Sequence, residues 1–403
     1  MNALTSEIKS IKFLPIFILF LFCFTKLNGQ QLTPQQFIED LEFLKKELPA
    51  KHKNLFAKIS EKKFNYKIEA IKQKSKNLNN ESLEIELFKL IKEIGDEHTR
   101  IEPVYKTTFP VEFDSFEEGI FVVNTDQLHA DLLYKKLSGI ENNSMKELKR
   151  GFQKIIKTDN QSYFDINFLH FINNPRILSG MNISQPGPGV NFILDDVKYL
   201  VSAVEKEKFF PTSATKLLRN SKKDNYWYEQ IDNGKILYFN YQRCSEQDGK
   251  SFEAFNNELW GFIDKEKPRK MIIDLRNNSG GNSAILIPFL NKLNDSYLNQ
   301  RGSLYVLIGK STFSSALMNA VNLKRDYQSI LVGKSTSGTV NHYGETRGFR
   351  LPNSKIIVGY STKYWEVWKG YDGALKPDVE IKYSIKNFRE NNDEAIDYIT
   401  NLE

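Results

Sequence analysis

The sequence predicts an α/β protein with a mostly parallel sheet in its C-terminal half. From about residue 225, short apolar segments that suit buried strands alternate with helical patterns of about a dozen residues. Such alternation is typical of right-handed crossovers between parallel strands. Two further observations complete the prediction. Residues 32–94 have helical periodicity, and residues 103–210 carry short, mixed signals that indicate a small α+β module.

The N-terminus has the composition of a secretory signal. Lys9 and Lys12 precede the apolar run Phe13–Phe24, and polar residues follow that run up to Gly29. The run is too short to span a bilayer comfortably. We therefore expect cleavage near Gly29 and an exported protein, periplasmic or extracellular. The alternative is an uncleaved anchor, which would then be the only contact with a membrane. A lipoprotein is disfavoured because Cys23 lies inside the run.

Composition and charge exclude several classes of partner. The chain has 56 basic and 50 acidic residues, a net charge of +6 without an Arg-rich stripe, so nucleic acid is not expected as a partner. After removal of the signal only Cys244 remains, and no internal disulfide can form. The sequence contains no His-x-x-x-His motif, paired cysteines or phosphate-binding glycine loop, so no metal or organic cofactor is predicted. No feature predicts an oligomeric state.

The N-terminal region is predicted to form three helices. Thr33-Pro34 resembles a capped start with proline at the first helical position. The second helix is expected over Lys62–Lys76. The third is expected over Ser82–Ile94, where a wide apolar stripe ends at Gly95.

The middle region is predicted from shorter patterns. A loop is expected at Gln185–Gly189, because neither a helix nor a sheet interior tolerates its density of proline and glycine. Strands are also expected here over Gly119–Val123 and Leu132–Ile140, and a hairpin of Phe192–Leu194 with Lys198–Val201. The segment Asn142–Ile156 is expected to begin with an Asn-Asn turn and to continue as an amphipathic helix.

The C-terminal half gives the most regular prediction. Strands are expected at Ile236–Tyr241, Lys270–Leu275, Leu304–Ile308 and Ile330–Val332. Helices are expected at Ser251–Ile263, Ser283–Leu293 and Ser314–Lys324. Beyond Gly338 we expect extended segments at Gly348–Leu351, Lys355–Tyr360 and Asp378–Ile381, then a closing helix at Asp393–Leu402.

Residues able to do chemistry follow two of these strands. Met271–Gly281 and Val306–Ala320 each predict a strand, a tight turn and a helix. In a parallel sheet such turns lie at the carboxyl ends of strands, where backbone N–H groups and helix N-termini converge. Ser314 is a candidate nucleophile in the second turn. Gly280–Gly281 in the first turn, together with the N–H of Ser315, could form an oxyanion hole.

Each of these features has a purely structural alternative. Serine and threonine at a helix start are ordinary N-capping residues, because their side chains accept bonds from free N–H groups. A tight turn between a strand and a helix also favours glycine for conformational reasons alone. The local patterns therefore leave both interpretations open.

His98 is the favoured general base among five histidines. It lies in a polar turn directly after a predicted helix. His52, His129 and His170 lie in apolar helical or strand-like surroundings, where a packed or surface imidazole is the default. His342, in a later loop, is the second choice of base. The alternative for His98 is a structural or merely exposed side chain.

Five segments, in this order, resemble the S41 family of serine peptidases, which contains the C-terminal processing (tail-specific) proteases and the tricorn protease core. They are Gly95–Thr99, Ile273–Gly281, Thr312–Ala316, Val332–Gly338 and Leu375–Val379. The resemblance implies a ClpP/crotonase-like catalytic core at residues 211–403. Before it would come a signal peptide at 1–29, an N-terminal helical region at 30–102 and a degenerate PDZ-like α+β module at 103–210.

The sequence departs from this family at the base. Processing proteases use a lysine that follows a Thr-x-Gly turn, and Thr339 occupies that position here, with Lys334 nearby at the preceding strand end. The tricorn-like branch uses a histidine corresponding to His98, with a serine before it and a distant glutamate. The residue before His98 is Glu97. The candidate carboxylates for orienting His98 are Glu345, Asp372 and Glu97.

The resemblance implies an exported serine endopeptidase or peptidase of S41 type that acts on a peptide or protein through an acyl-enzyme. Two alternatives stay open. One is a catalytically inactive relative that binds a peptide or hydrophobic ligand in the same cleft. The other is an envelope scaffold whose middle module docks a partner. The sequence does not determine the preferred side chain or whether a free C-terminus is required.

Overall fold

The computed structural model describes residues 31–402 except 104, 186, 188 and 214. The signal segment predicted for residues 1–29 lies outside the described residues. Contacts join residues 32–402 into one compact unit. The domain boundaries expected after residues 102 and 210 stay predictions. Within the described part of the chain, no helix has the length and apolar character needed to cross a membrane.

Three helices form the N-terminal region, as predicted: α1 (Pro34–Lys51), α2 (Glu61–Lys74) and α3 (Asn80–Ile94). Thr33 forms a capping box at the start of α1. Gly95 ends α3 with φ 77°, a left-handed conformation that glycine adopts without steric cost. The chain therefore turns sharply into residues 96–99.

The middle region is a mixture of small sheets and short helices. Its strands are β1 (Arg100–Glu102), β2 (Thr107–Thr108), β3 (Val111–Phe116), β4 (Gly119–Thr125), β5 (Leu137–Ile140), β6 (Asn143–Ser144), β7 (Gly189–Leu194), β8 (Val197–Ser202), β9 (Val204–Glu205) and β10 (Thr212–Ser213). Its helices are α4 (Met145–Phe152), α5 (Gln161–Ile172) and α6 (Pro175–Gly180). The predicted hairpin is confirmed as the antiparallel pair β7–β8.

Two predictions in this region were wrong in extent. Leu132 ends a 3-10 turn, and only Leu137–Ile140 of the expected strand is extended. The reason is Tyr134, whose φ of 65° reverses the chain so that its N–H donates to Val122 O. The helix expected after the Asn142-Asn143 turn begins at Met145, since Asn143 and Ser144 pair with β5, and it ends at Phe152 rather than at Ile156.

A six-stranded sheet forms the centre of the C-terminal half, in the order β11-β12-β13-β14-β15-β18, in which β18 is Val379–Glu380. Five of its strands are β11 (Tyr226–Ile231), β12 (Ile236–Tyr241), β13 (Lys270–Asp274), β14 (Leu304–Ile308) and β15 (Ile330–Gly333). The helices between them are α7 (Phe252–Glu266), α8 (Ile287–Asn294) and α9 (Ser314–Asp326). From β12 to β18 neighbouring strands are parallel, as predicted, and β11 is antiparallel to β12.

A long hairpin connects this half to the N-terminal region. It consists of β16 (His342–Arg350) and β17 (Ile357–Trp365), and it extends beyond the two segments predicted. β17 also pairs with β1, directly after the turn that contains His98. The chain closes with β18 (Val379–Glu380), α10 (Ile385–Glu390) and α11 (Glu394–Thr400). The hairpin therefore brings residues 96–99 toward the carboxyl ends of the main sheet.

Candidate active site

The turns after β13 and β14 are bound together by one buried side chain. Asn278 donates from Nδ2 to Tyr241 O at 2.8 Å, and its Oδ1 accepts from the Gly280 N–H at 2.9 Å. The Phe313 N–H donates to Asn278 O at 3.1 Å. Asn278 is fully buried. Because these bonds reach both turns and the end of β12, the two predicted parts of the site have a fixed relative position.

Gly280 and Gly281 lie where a side chain would not fit. Their φ values are 109° and 137°, a region that residues with a Cβ rarely adopt. A Cβ on Gly281 would lie 2.1 Å from Cys244 O, and one on Gly280 would lie 2.8 Å from the Ser314 Cβ. The backbone of this turn thus passes directly against the candidate nucleophile.

Ser314 is the first residue of α9 and has φ 50°. This left-handed conformation costs roughly 1–2 kcal/mol for a residue with a Cβ. Strain of this kind persists where the surrounding structure imposes it, often at functional sites. The residue before it, Phe313, makes no side-chain cap on the helix. Ser314 therefore does not occupy the N-cap position that the structural alternative assumed.

The oxyanion-hole candidates differ in whether they are free to donate. The Gly280 N–H is taken up by Asn278, as described above. The parallel bridge between Cys244 and Gly281 uses Gly280 O and the Asn282 N–H. Within the described part of the chain, the N–H groups of Gly281 and Ser315 donate no hydrogen bond. The Ser315 hydroxyl donates to Gly281 O at 2.6 Å, which holds these two residues together.

His98 lies in a stack of three rings. Its ring centroid is 4.5 Å from that of Phe313 on one side and 5.1 Å from that of His342 on the other. His98 is 4% exposed, and neither ring nitrogen has a hydrogen-bond partner among the described residues. Burial, and then the neighbouring His342, lower the pKa of His98 to about 4. The imidazole is therefore neutral at pH 7, as a general base must be.

The turn that carries His98 is held by Asp96 and Glu97. Asp96 accepts the His98 N–H at 2.9 Å and the Ser361 hydroxyl of β17 at 2.6 Å. Glu97 Oε2 accepts the Thr339 N–H at 2.9 Å, across 242 positions of sequence. Burial raises the pKa of Glu97. The Asp96 contact therefore fixes the turn at residues 96–99 to β17, and the Glu97 contact fixes it to the turn after β15.

His342, the second choice of base, is fixed by backbone carbonyls. Its Nδ1 lies 3.0 Å from Thr339 O and 3.2 Å from Val340 O. Because both are acceptors, Nδ1 carries the proton of the neutral ring. Burial lowers the pKa of His342. The ring thus supports the stack as a neutral imidazole.

None of the three candidate carboxylates hydrogen-bonds to the His98 ring. Glu345 and Asp372 are exposed, and Glu97 is directed at Thr339. Lys334 forms ion pairs with Glu380 and Glu117 at 3.1 and 3.5 Å. The structure thus brings the segment of His98 against that of Ser314 and the glycine turn, without a carboxylate at the imidazole.

Sequence reasoning missed Asn278, Phe313 and Asp96 as parts of this arrangement. Asn278 and Phe313 were placed in the two turns, but no local signal showed that they join them. Asp96 lies in the segment Gly95–Thr99 but is not among the candidate site residues. The sequence around Asp96 does contain a signal for this role, because an aspartate in a polar turn often accepts hydrogen bonds from nearby N–H groups.

A cavity of about 780 Å³ touches these turns at Asn277 and Ser311, but Ser314, His98 and the Gly280–Gly281 pair do not line it. One wall follows the carboxyl ends of β13, β14 and β15, and the other belongs to the middle region. The lining includes Asn277, Gly309–Ser311, Lys334–Ser335, Asp372–Ala374, Asp114–Glu117 and Asn160–Ser162. Among the described residues no cluster of His, Cys, Asp or Glu is arranged to hold a metal ion.

The fold is similar to that of mature CPAF complexed with lactacystin, with a TM-score of 0.63 and 13% sequence identity over 91% of this chain and 97% of that chain. Looser structural neighbours are the tricorn protease (TM-score 0.45, 13% identity, 91% of this chain and 36% of that chain) and the photosystem II D1 C-terminal processing protease (TM-score 0.41, 12% identity, 90% and 99%). No protein-family profile and no curated protein sequence matches the chain. The chain therefore shares the fold of mature CPAF.

Proposed function

We propose that this protein is a serine-type peptidase in which Ser314 is the nucleophile and His98 the general base. The observation that carries the proposal is the contact between the His98 and Phe313 rings, because Phe313 directly precedes Ser314. The similarity of the fold to protease structures supports the same reaction class. Ser314 also has the strained backbone that often marks functional residues.

The reaction follows from the residues in place. His98 takes the hydroxyl proton of Ser314 as the oxygen attacks a peptide carbonyl. The free N–H groups of Ser315 and Gly281 stabilise the oxyanion, and the N-terminus of α9 adds a positive field. His98 then protonates the leaving amine, and water attacks the acyl-enzyme by the same route. Neither ring nitrogen of His98 has a hydrogen-bond partner among the described residues, and catalytic hydrogen bonds often form or tighten only when substrate binds.

The substrate class is a peptide or protein segment. A cavity of about 780 Å³ reaches the two turns at Asn277 and Ser311, but neither Ser314 nor His98 lines it, so the substrate class rests on the proposed reaction rather than on this cavity. We propose that the protein acts after export, as its N-terminal sequence indicates.

The first test compares Ser314→Ala with Ser251→Ala. Ser251 caps α7 by accepting the Ala254 N–H, so its loss costs roughly 1 kcal/mol of stability but removes no chemistry. We expect Ser314→Ala to abolish peptide hydrolysis and labelling by a fluorophosphonate probe while the protein stays folded by circular dichroism. Ser251→Ala should keep both activities. Hydrolysis retained by Ser314→Ala would remove the assignment, and a native protein that neither reacts nor hydrolyses would favour an inactive, ligand-binding relative.

A further inference from the structure

The proposed mechanism leaves one electrostatic question. When His98 accepts a proton it becomes a buried cation, and a buried cation needs a nearby anion. The carboxylates singled out from the sequence do not contact its ring. The charges of Arg100 and Lys157, together with His342 in the stack, all disfavour the protonated form of His98. Asp96 is the nearby group that favours it.

Asp96 is a buried carboxylate with four donors. Two come from its own turn: the His98 N–H at 2.9 Å and the Thr99 hydroxyl at 2.5 Å. The other two come from distant parts of the chain: His52 Nε2 at 3.1 Å and the Ser361 hydroxyl at 2.6 Å. The carboxylate therefore ties the turn to the end of α1 and to β17. The position of the His98 backbone depends directly on this tie.

The tautomer of His52 shows that the charge of Asp96 is not neutralised. The Asn54 N–H donates to His52 Nδ1 at 3.0 Å, so Nδ1 carries no proton. The proton must then be on Nε2, which donates to Asp96 as part of a neutral imidazole. All four donors are thus uncharged groups. They stabilise the carboxylate while its negative charge stays available to a neighbouring imidazolium.

We propose that Asp96 is the positioning residue of His98: it fixes the turn that carries the imidazole and stabilises the imidazolium through space. The proposal rests on the function proposed above. It assigns to Asp96 the electrostatic role expected of an orienting carboxylate, without a direct bond to the ring. His52 helps to hold the Asp96 carboxylate in place. The ring of Tyr343 packs against the His52 ring, with their centroids 5.5 Å apart.

The test uses the full-length protein and two variants. Asp96→Asn removes the charge and nearly preserves the shape, and Ser361→Ala removes one donor but keeps the charge. The titration of His98 is followed by NMR of protein labelled at histidine Cε1, with the resonance assigned from its loss in His98→Gln. We expect the midpoint of His98 to fall by about one pH unit in Asp96→Asn, because a nearby charge is lost. In Ser361→Ala it should stay close to the wild-type value.

Kinetics give the second readout. Asp96→Asn should lower kcat by roughly tenfold or more while KM changes little, because the charge acts when His98 is protonated rather than when substrate binds. An unchanged midpoint or an unchanged kcat in Asp96→Asn would overturn the proposal. If Asp96→Asn does not fold, the double variant Thr99→Val/Ser361→Ala decides. A severalfold loss of kcat at constant KM supports the proposal, and wild-type kcat overturns it.

The two readouts separate this inference from the function on which it rests. The NMR midpoint needs no turnover, so it reports the coupling of Asp96 to His98 even in an inactive protein. If Ser314→Ala retains hydrolysis, the proposed function fails while the NMR result still decides the coupling. If Ser314→Ala is inactive and the midpoint does not move, only the role of Asp96 fails.

Discussion

His98 and Phe313 stack with their ring centroids 4.5 Å apart and their planes at 26°. Phe313 also packs against Gly338, since a Cβ on Gly338 would lie 3.1 Å from the ring. The side chain of Phe313, the residue before the candidate nucleophile, therefore contacts both the imidazole of His98 and the turn after β15. A substitution at Phe313 should therefore disturb the position of the His98 ring relative to Ser314.

Phe313→Leu should therefore lower kcat/KM by roughly tenfold, because the ring that supports His98 is lost while an apolar side chain remains. The measurement is steady-state peptide hydrolysis, with thermal unfolding to confirm that the variant is native. Phe349→Leu is the matched control. Phe349, in β16, makes similar ring contacts with Phe43 of α1 and Tyr360 of β17. The Phe349→Leu variant should keep full activity. Wild-type kinetics in Phe313→Leu would show that the stack does not support the base.

Gly281→Ala should lose activity and stability together. The added Cβ would meet Cys244 O at 2.1 Å, and a backbone atom cannot move aside as a flexible side chain can. We expect destabilisation of well over 1 kcal/mol by chemical denaturation. Gly302→Ala separates conformational strain from the clash, because Gly302 has φ 92° but open space around it. Equal losses in the two variants would contradict the predicted close approach.

The activity should persist to unusually low pH. The pKa of His98 is lowered to about 4, so the neutral base survives below the usual range of histidine, and kcat/KM should fall as the pH drops through about 4. His342→Gln should move this limb to higher pH, because His342 lowers the pKa of His98. A wild-type limb at about pH 6.5, the ordinary value for histidine, would count against His98 as the base.

The same shift affects stability. Because the pKa of His98 is lowered in the folded state, the unfolded chain binds the proton first. The contribution of a neutral His98 to the free energy of unfolding is fully present above pH 6.5, the pKa of an unperturbed histidine. This contribution is lost as the pH falls toward about 4. Comparing the pH dependence of the unfolding free energy in wild type and His98→Gln measures this contribution. Parallel curves for the two proteins over that interval would exclude it.

Arg276→Met should destabilise the protein by roughly 3–5 kcal/mol, because it leaves buried carboxylates without their cation. Arg276 bonds to Asp274 and to Asp393 at the start of α11. The opposing case is Lys45→Met, which removes an exposed ion pair with Glu69 and should cost less than about 1 kcal/mol. Urea unfolding of both variants checks the contrast. Similar small losses would show that the buried network contributes little.

Local patterns were sufficient for most of the main sheet. The apolar runs of β12 and β14 gave their bounds directly, because strands buried on both faces need continuous apolar sequence. The middle region was harder. Its helix α5 was not predicted, since its buried residues are interleaved with polar ones and its role is tertiary: Asn160 at its start donates to Thr336 O and Ser337 O.

The sequence by itself determined the strand ends, the glycine turn and the serine at the start of α9, because each depends on neighbouring residues. It also favoured the histidine after α3 as the candidate base. Only the tertiary structure decided that His98 stacks on Phe313, that Glu97 is directed at Thr339 and that Asp96 holds the turn. These contacts join residues more than two hundred positions apart, and their geometry depends on the pairing of β1 with β17, for which no local pattern exists.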